Sequence, residues 1–144
     1  MNNNTPSWFS YEGRYTRAQF WPRLLIASFI IGVIMALIAP VLTNPYAYYT
    51  VQFGVIIMIT APLLTKRMHD RGHSSAIIWI QYALGYAMCF TEEMTRGNVT
   101  DTVMTIALAM LGTSFALSIV ILVRLCRDSQ KGTNQYGPSS KYPD

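Results

Sequence analysis

Charge is what this 144-residue chain has least of: Asp, Glu, Lys and Arg make up 12% of it while 51% is hydrophobic. A soluble domain carries roughly 25% charged residues, so the balance excludes an ordinary water-facing surface. Cysteine is also sparse, at two residues. Cys89 falls near one end of an apolar run and Cys126 near the opposite end of another, about a bilayer thickness apart. That separation excludes an intramolecular disulfide, and both read as small buried or interfacial side chains. No ionisable residue lies in the middle of any long apolar run. Such residues mark ion paths and proton relays, and their absence argues against an ion-coupled transporter.

What is present is apolar length. Four runs, at about 23–43, 48–65, 74–91 and 102–123, approach the roughly 20 residues an α-helix needs to cross about 30 Å of hydrocarbon. The expected fold class is therefore an all-α integral membrane protein, a four-transmembrane-helix bundle. Gln81, Thr105, Thr113, Ser114 and Ser118 are its main polar interruptions, suited to bonding backbone or a neighbouring helix. Gly32, Gly54, Gly85 and Gly112 read as packing contacts. The first run is longer than the apolar region of a signal peptide, contains Pro40 and follows an aromatic, basic segment. It is read as retained.

The net charge of +4 speaks to topology and not to nucleic acid, because of where the basic residues lie. Arg14, Arg17 and Arg23 precede the first run; Lys66, Arg67 and Arg71 separate the second from the third; Arg124, Arg127, Lys131 and Lys141 follow the fourth. The alternate connections hold uncharged Asn44-Pro45-Tyr46-Ala47, and a loop in which Arg96 is outnumbered by Glu92, Glu93 and Asp101. Basic segments resist translocation, so both termini are expected in the cytoplasm.

Local signals refine this plan. Residues 1–10 read as a polar, disordered N-terminus, 11–138 as one membrane domain and 139–144 as a flexible tail, with no internal repeat. Trp8, Phe9, Tyr11, Tyr15, Phe20 and Trp21 supply rings that favour a membrane interface. Thr16 and Gln19 have capping-box spacing, which predicts a helix beginning near Arg17. Pro22 is tolerable in its first turns, whereas Pro40 and Pro62 predict kinks or helix ends. Gly72 breaks the second connection, and Ser74 or Ser75 is placed to cap the third helix. Gly132, Asn134, Gly137, Pro138 and Pro143 predict turns and extended chain after Asp128.

The densest polar cluster is Arg67-Met68-His69-Asp70-Arg71-Gly72-His73-Ser74. In its plain reading the basic residues set topology and touch lipid phosphates, Asp70 offsets their repulsion and Ser74 caps a helix. His69 and His73 imitate the two-His pattern of zinc proteases. However, Asp stands where Glu is needed, Gly72 weakens the helix, and there is no third His in the chain, so no metal site is expected. Arg14 and Arg17 are three apart and on a helical path would face one way. With Arg67 they could clamp an anion, since guanidinium groups bind phosphate or carboxylate in a bidentate fashion.

Three separated motifs share a pattern: Gly13-Arg14 with Arg17, Phe20 and Trp21; then Arg67, His69, Asp70, Gly72 and Ser74; then Gly132, Asn134, Tyr136, Gly137 and Pro138. On these the chain resembles the domain of unknown function 805 family, from about Tyr11 to Pro138. The resemblance implies a small bacterial inner-membrane protein of several helical spans and carries no biochemical activity. Gln19 stands where that family often has an acid, Ala76-Ile77 where tryptophans are common, and Ser139 where Asp is frequent.

The combined expectation is a bundle whose three motif segments meet as a polar cytoplasmic cap. The cap would act as a non-catalytic binding or interaction module for an anionic lipid, a metabolite, a protein partner or a second copy, without cofactor. Arg14, Arg17 and Arg67 would hold the anion, and Asp70 would orient His69 or an Arg. Asn134 and Tyr136 would return the tail to the cap, with Gly13, Trp21, Gly72, Ser74 and Gly137 in support. The competing classes are an enzyme acting on membrane lipid, with His69 as acid or base but no evident nucleophile, and a pore or carrier, which the uncharged spans disfavour.

Overall fold

Thr16 opens the first helix. Its hydroxyl accepts from the Gln19 amide at 3.3 Å, and the Gln19 side chain accepts from the Thr16 amide at 3.1 Å. This reciprocal capping box satisfies two donors left free at a helix start and sets α1 as Arg17–Ile38. The helix stops short of the expected residue 43 because Pro40, with no amide to donate, stands in the turn that follows. Asn44 caps α2, Pro45–Asp70, and Pro45 occupies a first-turn position where a missing amide costs nothing.

α2 runs beyond the expected 65, carrying Lys66, Arg67, His69 and Asp70 in its last turns. It ends where Gly72, at φ +71°, lets its own amide reach the His69 carbonyl and the His73 amide reach that of Met68. This is a Schellman closure, which requires the left-handed conformation at that residue. Ser75 holds the start of α3, Ala76–Met94, its carbonyl accepting from Ile78 and Trp79, while Ser74 is exposed. Thr100 caps α4, Asp101–Cys126.

These elements come from a computed structural model that describes residues 7–94, 100–139 and 141–142. The expectations for residues 1–6, for Arg96 and its loop neighbours 95–99, and for Pro143 lie outside the described residues.

α2 packs against each of the other three helices, and α3 also packs on α4. Neighbours alternate in direction. The start of α1 lies beside the end of α2 through the Tyr15 amide and the Lys66 carbonyl, and the end of α4 returns there through Arg67 and the Leu125 carbonyl. Tyr46–Phe90 and Phe53–Tyr86 ring pairs join α2 to α3 toward the other end. Thr60 and Tyr82 share a 2.5 Å hydrogen bond, and Gln81 donates to Ser114 at 2.8 Å. Thr105 and Thr113 bond carbonyls one turn back.

Burial is lopsided along the helix axes. In α2 the buried residues run from Ile59 to Asp70, and the core joins Tyr15, Phe20, Leu63, Met68, Ile78 and Leu125. Elsewhere apolar side chains point outward: Phe29 is 74% exposed and Phe115 67%. Burying a side chain of that size is worth roughly 1.5–3 kcal/mol, so a sleeve of exposed Leu, Ile, Val and Phe calls for an apolar surrounding. α1, α2 and α4 are long and apolar enough to cross a membrane, while the apolar stretch Ala76–Thr91 of α3 is shorter.

Candidate functional site

The three motif segments meet at the buried end, and two arginines hold them there. Arg14 precedes the cap of α1, in extended chain, and is 4% exposed. Its Nε donates to the Asp70 carboxylate at 3.3 Å. One terminal nitrogen donates to the carbonyls of Gly132 and Gly137 at 2.8 and 3.0 Å, the other to those of Asp70 and Gln130 at 3.3 and 2.6 Å. A guanidinium has five N–H groups, and all five find acceptors within the protein.

Arg67 is fully buried beneath it. It donates to the Leu125 carbonyl at 3.0 Å, the Tyr15 carbonyl at 3.2 Å, the other Asp70 oxygen at 2.5 Å and the Arg127 carbonyl. Asp70, itself fully buried, thus sits between two guanidinium groups, one on each carboxylate oxygen. A charge taken from water is tolerated where it is paired and its remaining donors or acceptors are used, and this cluster meets both conditions.

Lys66 makes a third buried tie. Its ammonium donates to the Ser7 and Trp8 carbonyls and the Tyr15 hydroxyl, and lies 4.4 Å from the Tyr15 ring centre. The tail is held by backbone as well. The Gln130 amide bonds the Asp70 carbonyl, Asn134 and Gly137 exchange both backbone hydrogen bonds, and the Asn134 side chain donates to the His69 carbonyl at 2.9 Å. Tyr136 stacks on His69 with ring centres 3.6 Å apart and planes within 4°.

This geometry reassigns several expected roles. Arg14 and Arg17 do not share a helical face, because the helix begins only at Arg17. Arg14 and Arg67 spend their donors on carbonyls and Asp70, so the pair closes the cap instead of presenting an open fork. Asp70 faces the two arginines, while His69 is oriented by Tyr136, its Nδ1 buried without a hydrogen-bond partner. Arg17 alone of the expected clamp is on the surface, bonding the Cys126 carbonyl and pairing with Asp128 at 3.2 Å. Trp21 packs edge-on against Phe20, and Gly13 adopts φ +89°. Gly13, Tyr11, Glu12, His69, Gln135 and Tyr136 line a surface cleft of about 430 Å³.

Asp128, Gln130 and Lys66 were not singled out as site residues by sequence. Asp128 is an acid set among Arg127, Lys131 and Lys141, and that charge pattern is its signal. Lys141 grips both its oxygens at 2.7 Å, and the Ser129 amide and Tyr142 hydroxyl bond it too. These contacts, Lys141 first, hold its carboxyl well below the usual carboxylate range and raise the Lys141 ammonium above its own. Of the segment 139–144 expected to be flexible, Ser139 is buried and Lys141 and Tyr142 are anchored in this way.

Fold and site together define a class: an all-helical protein with three helices of membrane-crossing length and a buried arginine–aspartate clasp binding its tail to one end. Within that class the chain belongs to the family described as protein of unknown function (DUF805), whose model matches residues 8–138. No curated protein and no solved structure matches the chain.

Proposed function

We propose that the chain is a multi-pass protein of a bacterial inner membrane, with four spans and both termini cytoplasmic. Its clasped end is a non-catalytic module that recognises an anionic lipid, a metabolite or a protein partner. α3, at 19 residues, is about 28 Å long at 1.5 Å per residue, close to the hydrocarbon thickness. A fourth crossing agrees with helices that alternate in direction. The basic segments fall at one end of the bundle, which favours a cytoplasmic location for that end.

The observation that carries the binding role is the division of labour among cations. Arg14, Lys66 and Arg67 are buried and used internally, whereas Arg17, Arg127, Lys131 and Lys141 remain on the surface around the clasp. The clasp builds a rigid platform, and the surrounding cations give it an affinity for negative charge. A lipid-modifying enzyme is less well supported, since Asp70 is occupied by two arginines and leaves His69 without an acidic partner. The test is native mass spectrometry of protein gently extracted from its own membrane. A defined anionic species travelling with the protein supports the reading, and a spectrum without one overturns it for small ligands. Reporters fused to both termini check the topology, and a translocated terminus refutes it.

A further inference from the structure

Among the described residues, cations gather at the turn between α2 and α3 and the last turn of α4, while the carboxylates beside them in sequence, Asp70 and Asp128, are paired with other cations. Arg71, the residue that ends α2, donates to the Asp128 backbone carbonyl, which places it beside the C-terminus of α4. Arg124 lies in the last turn of α4 and Arg127 is its C-cap residue. His73 follows Arg71 by two residues, and its imidazole is held below its ordinary pKa, first by partial burial and then by the positive charge of Arg124, Arg71 and Arg127.

Asp70, adjacent to Arg71, is held by Arg14 and Arg67, and Asp128, adjacent to Arg127, does not neutralise this group either. It is engaged by Lys141, Tyr142 and Arg17, and only its carbonyl turns to Arg71. The Nε of Arg71 is buried without a hydrogen-bond partner. Four like-charged or chargeable groups collected beside an apolar sleeve repel one another more strongly than they would in open water.

We infer that Arg71, His73, Arg124 and Arg127 form a binding site for a phosphate-bearing headgroup of an anionic membrane lipid. The site lies at the right height for one. Val123, four residues before Arg127 and so on its side of α4, is 50% exposed and offers an apolar surface for an acyl chain next to the site. Trp79, 42% exposed near the start of α3 and stacked on Tyr11 at 6.3 Å, marks the same interface level. Guanidinium groups suit phosphate because they donate paired hydrogen bonds in a plane. The inference deepens the proposed binding role, on which it rests, and assigns it to residues outside the clasp.

The test uses the full chain in detergent, with native mass spectrometry of added phosphatidylglycerol against phosphatidylcholine. Wild type should retain phosphatidylglycerol preferentially. Arg124→Gln with Arg127→Gln should reduce that preference roughly tenfold or more, since each cation near an anionic headgroup contributes on the order of a factor of five. Neither side chain belongs to the clasp, and the Lys substitutions at both positions should restore most of the preference, which separates loss of charge from loss of fold. Inorganic phosphate is added as a competitor. Failure of millimolar phosphate to displace the lipid supports a headgroup site that also uses the acyl chain, whereas displacement at that concentration shows a site for free phosphate and overturns the lipid assignment. If the Gln variant selects phosphatidylglycerol as wild type does, this site falls while the wider binding role stands. No selectivity in either protein overturns this site together with the anionic-lipid form of the binding role.

Discussion

Asp70→Asn probes the clasp at its centre. The substitution keeps the shape and one carbonyl oxygen but removes the carboxylate bonded to the buried Arg14 and Arg67. Removing one partner of a buried ion pair costs about 3–5 kcal/mol. A hydrogen bond retained by the amide oxygen returns about 1 kcal/mol, and Arg14 keeps its four carbonyl acceptors, so a net loss of roughly 3 kcal/mol is expected. It should fall locally, where the tail meets the cap. An opening equilibrium shifted by that amount accelerates exchange roughly a hundredfold.

The assay is amide hydrogen exchange read by mass spectrometry. Peptides containing Gln130, Asn134 and Gly137, whose amides bond Asp70 or each other, should speed up, while the middle of α1 should not change. Exchange of the tail within about threefold of wild type would refute the claim that charge neutralisation holds it. Exchanging the partners, Arg67→Asp with Asp70→Arg, gives a sharper version. A simple pair would be repaired by the swap. Here the new arginine meets Arg14, so the tail should remain as mobile as in the single variant.

Gly72→Ala should destabilise the cap by more than the roughly 1 kcal/mol of a conformational penalty, because the residue holds φ +71° and its new methyl would stand 2.5 Å from the Gln130 side-chain oxygen; thermal unfolding with and without Gln130→Ala separates strain from clash. Thr16→Ala removes the α1 cap and should cost about 1 kcal/mol, read as a lower midpoint in thermal unfolding, with Thr16→Ser restoring most of it. Asp128→Asn should free Lys141 and Tyr142 at neutral pH, seen as faster exchange of the Tyr142 amide. Because the Asp128 carboxyl is depressed in the folded protein, its contribution is present above the ordinary carboxylate pKa and is lost as pH falls through the lower folded value. In wild type the latch should therefore persist through mildly acid pH, and release near pH 5 would contradict this.

Much of this was legible in the sequence because local rules acted alone. The capping box at Thr16 and Gln19, the break at Gly72 and the apolar runs all depend on neighbours within a turn. The convergence of the three motifs was legible in outline, since Asn134 and Tyr136 do return the tail to His69. The destinations of individual charges were not. A basic residue beside an apolar run reads as a topology signal whether it is solvated like Arg127 or enclosed like Lys66 and Arg67. Only tertiary contacts distinguish the two, and the carbonyls that fill Arg14 lie 116 or more residues away for three of its five bonds. The spacing of Arg14 and Arg17 misled for a related reason, as it assumed helix on both sides of a residue that caps one.

The clasp also explains why the buried charges Arg14, Lys66, Arg67 and Asp70 sit at the end of the bundle and not in its middle. A helix interior in hydrocarbon satisfies its own backbone, so an arginine there would have to bring every acceptor with it. At the helix ends the carbonyls of the last turn are unpaired by construction, and Arg67 takes the Leu125 and Arg127 carbonyls at the end of α4 as ready acceptors. Arg14 does the same with the irregular tail, where positive φ at Gly132 and Gly137 sets the direction of two of the carbonyls it holds. Each buried cation thus satisfies acceptors that the helices and turns leave open. The cost of burying charge is offset by groups that would otherwise need water, and the chain closes only when its last segment has arrived.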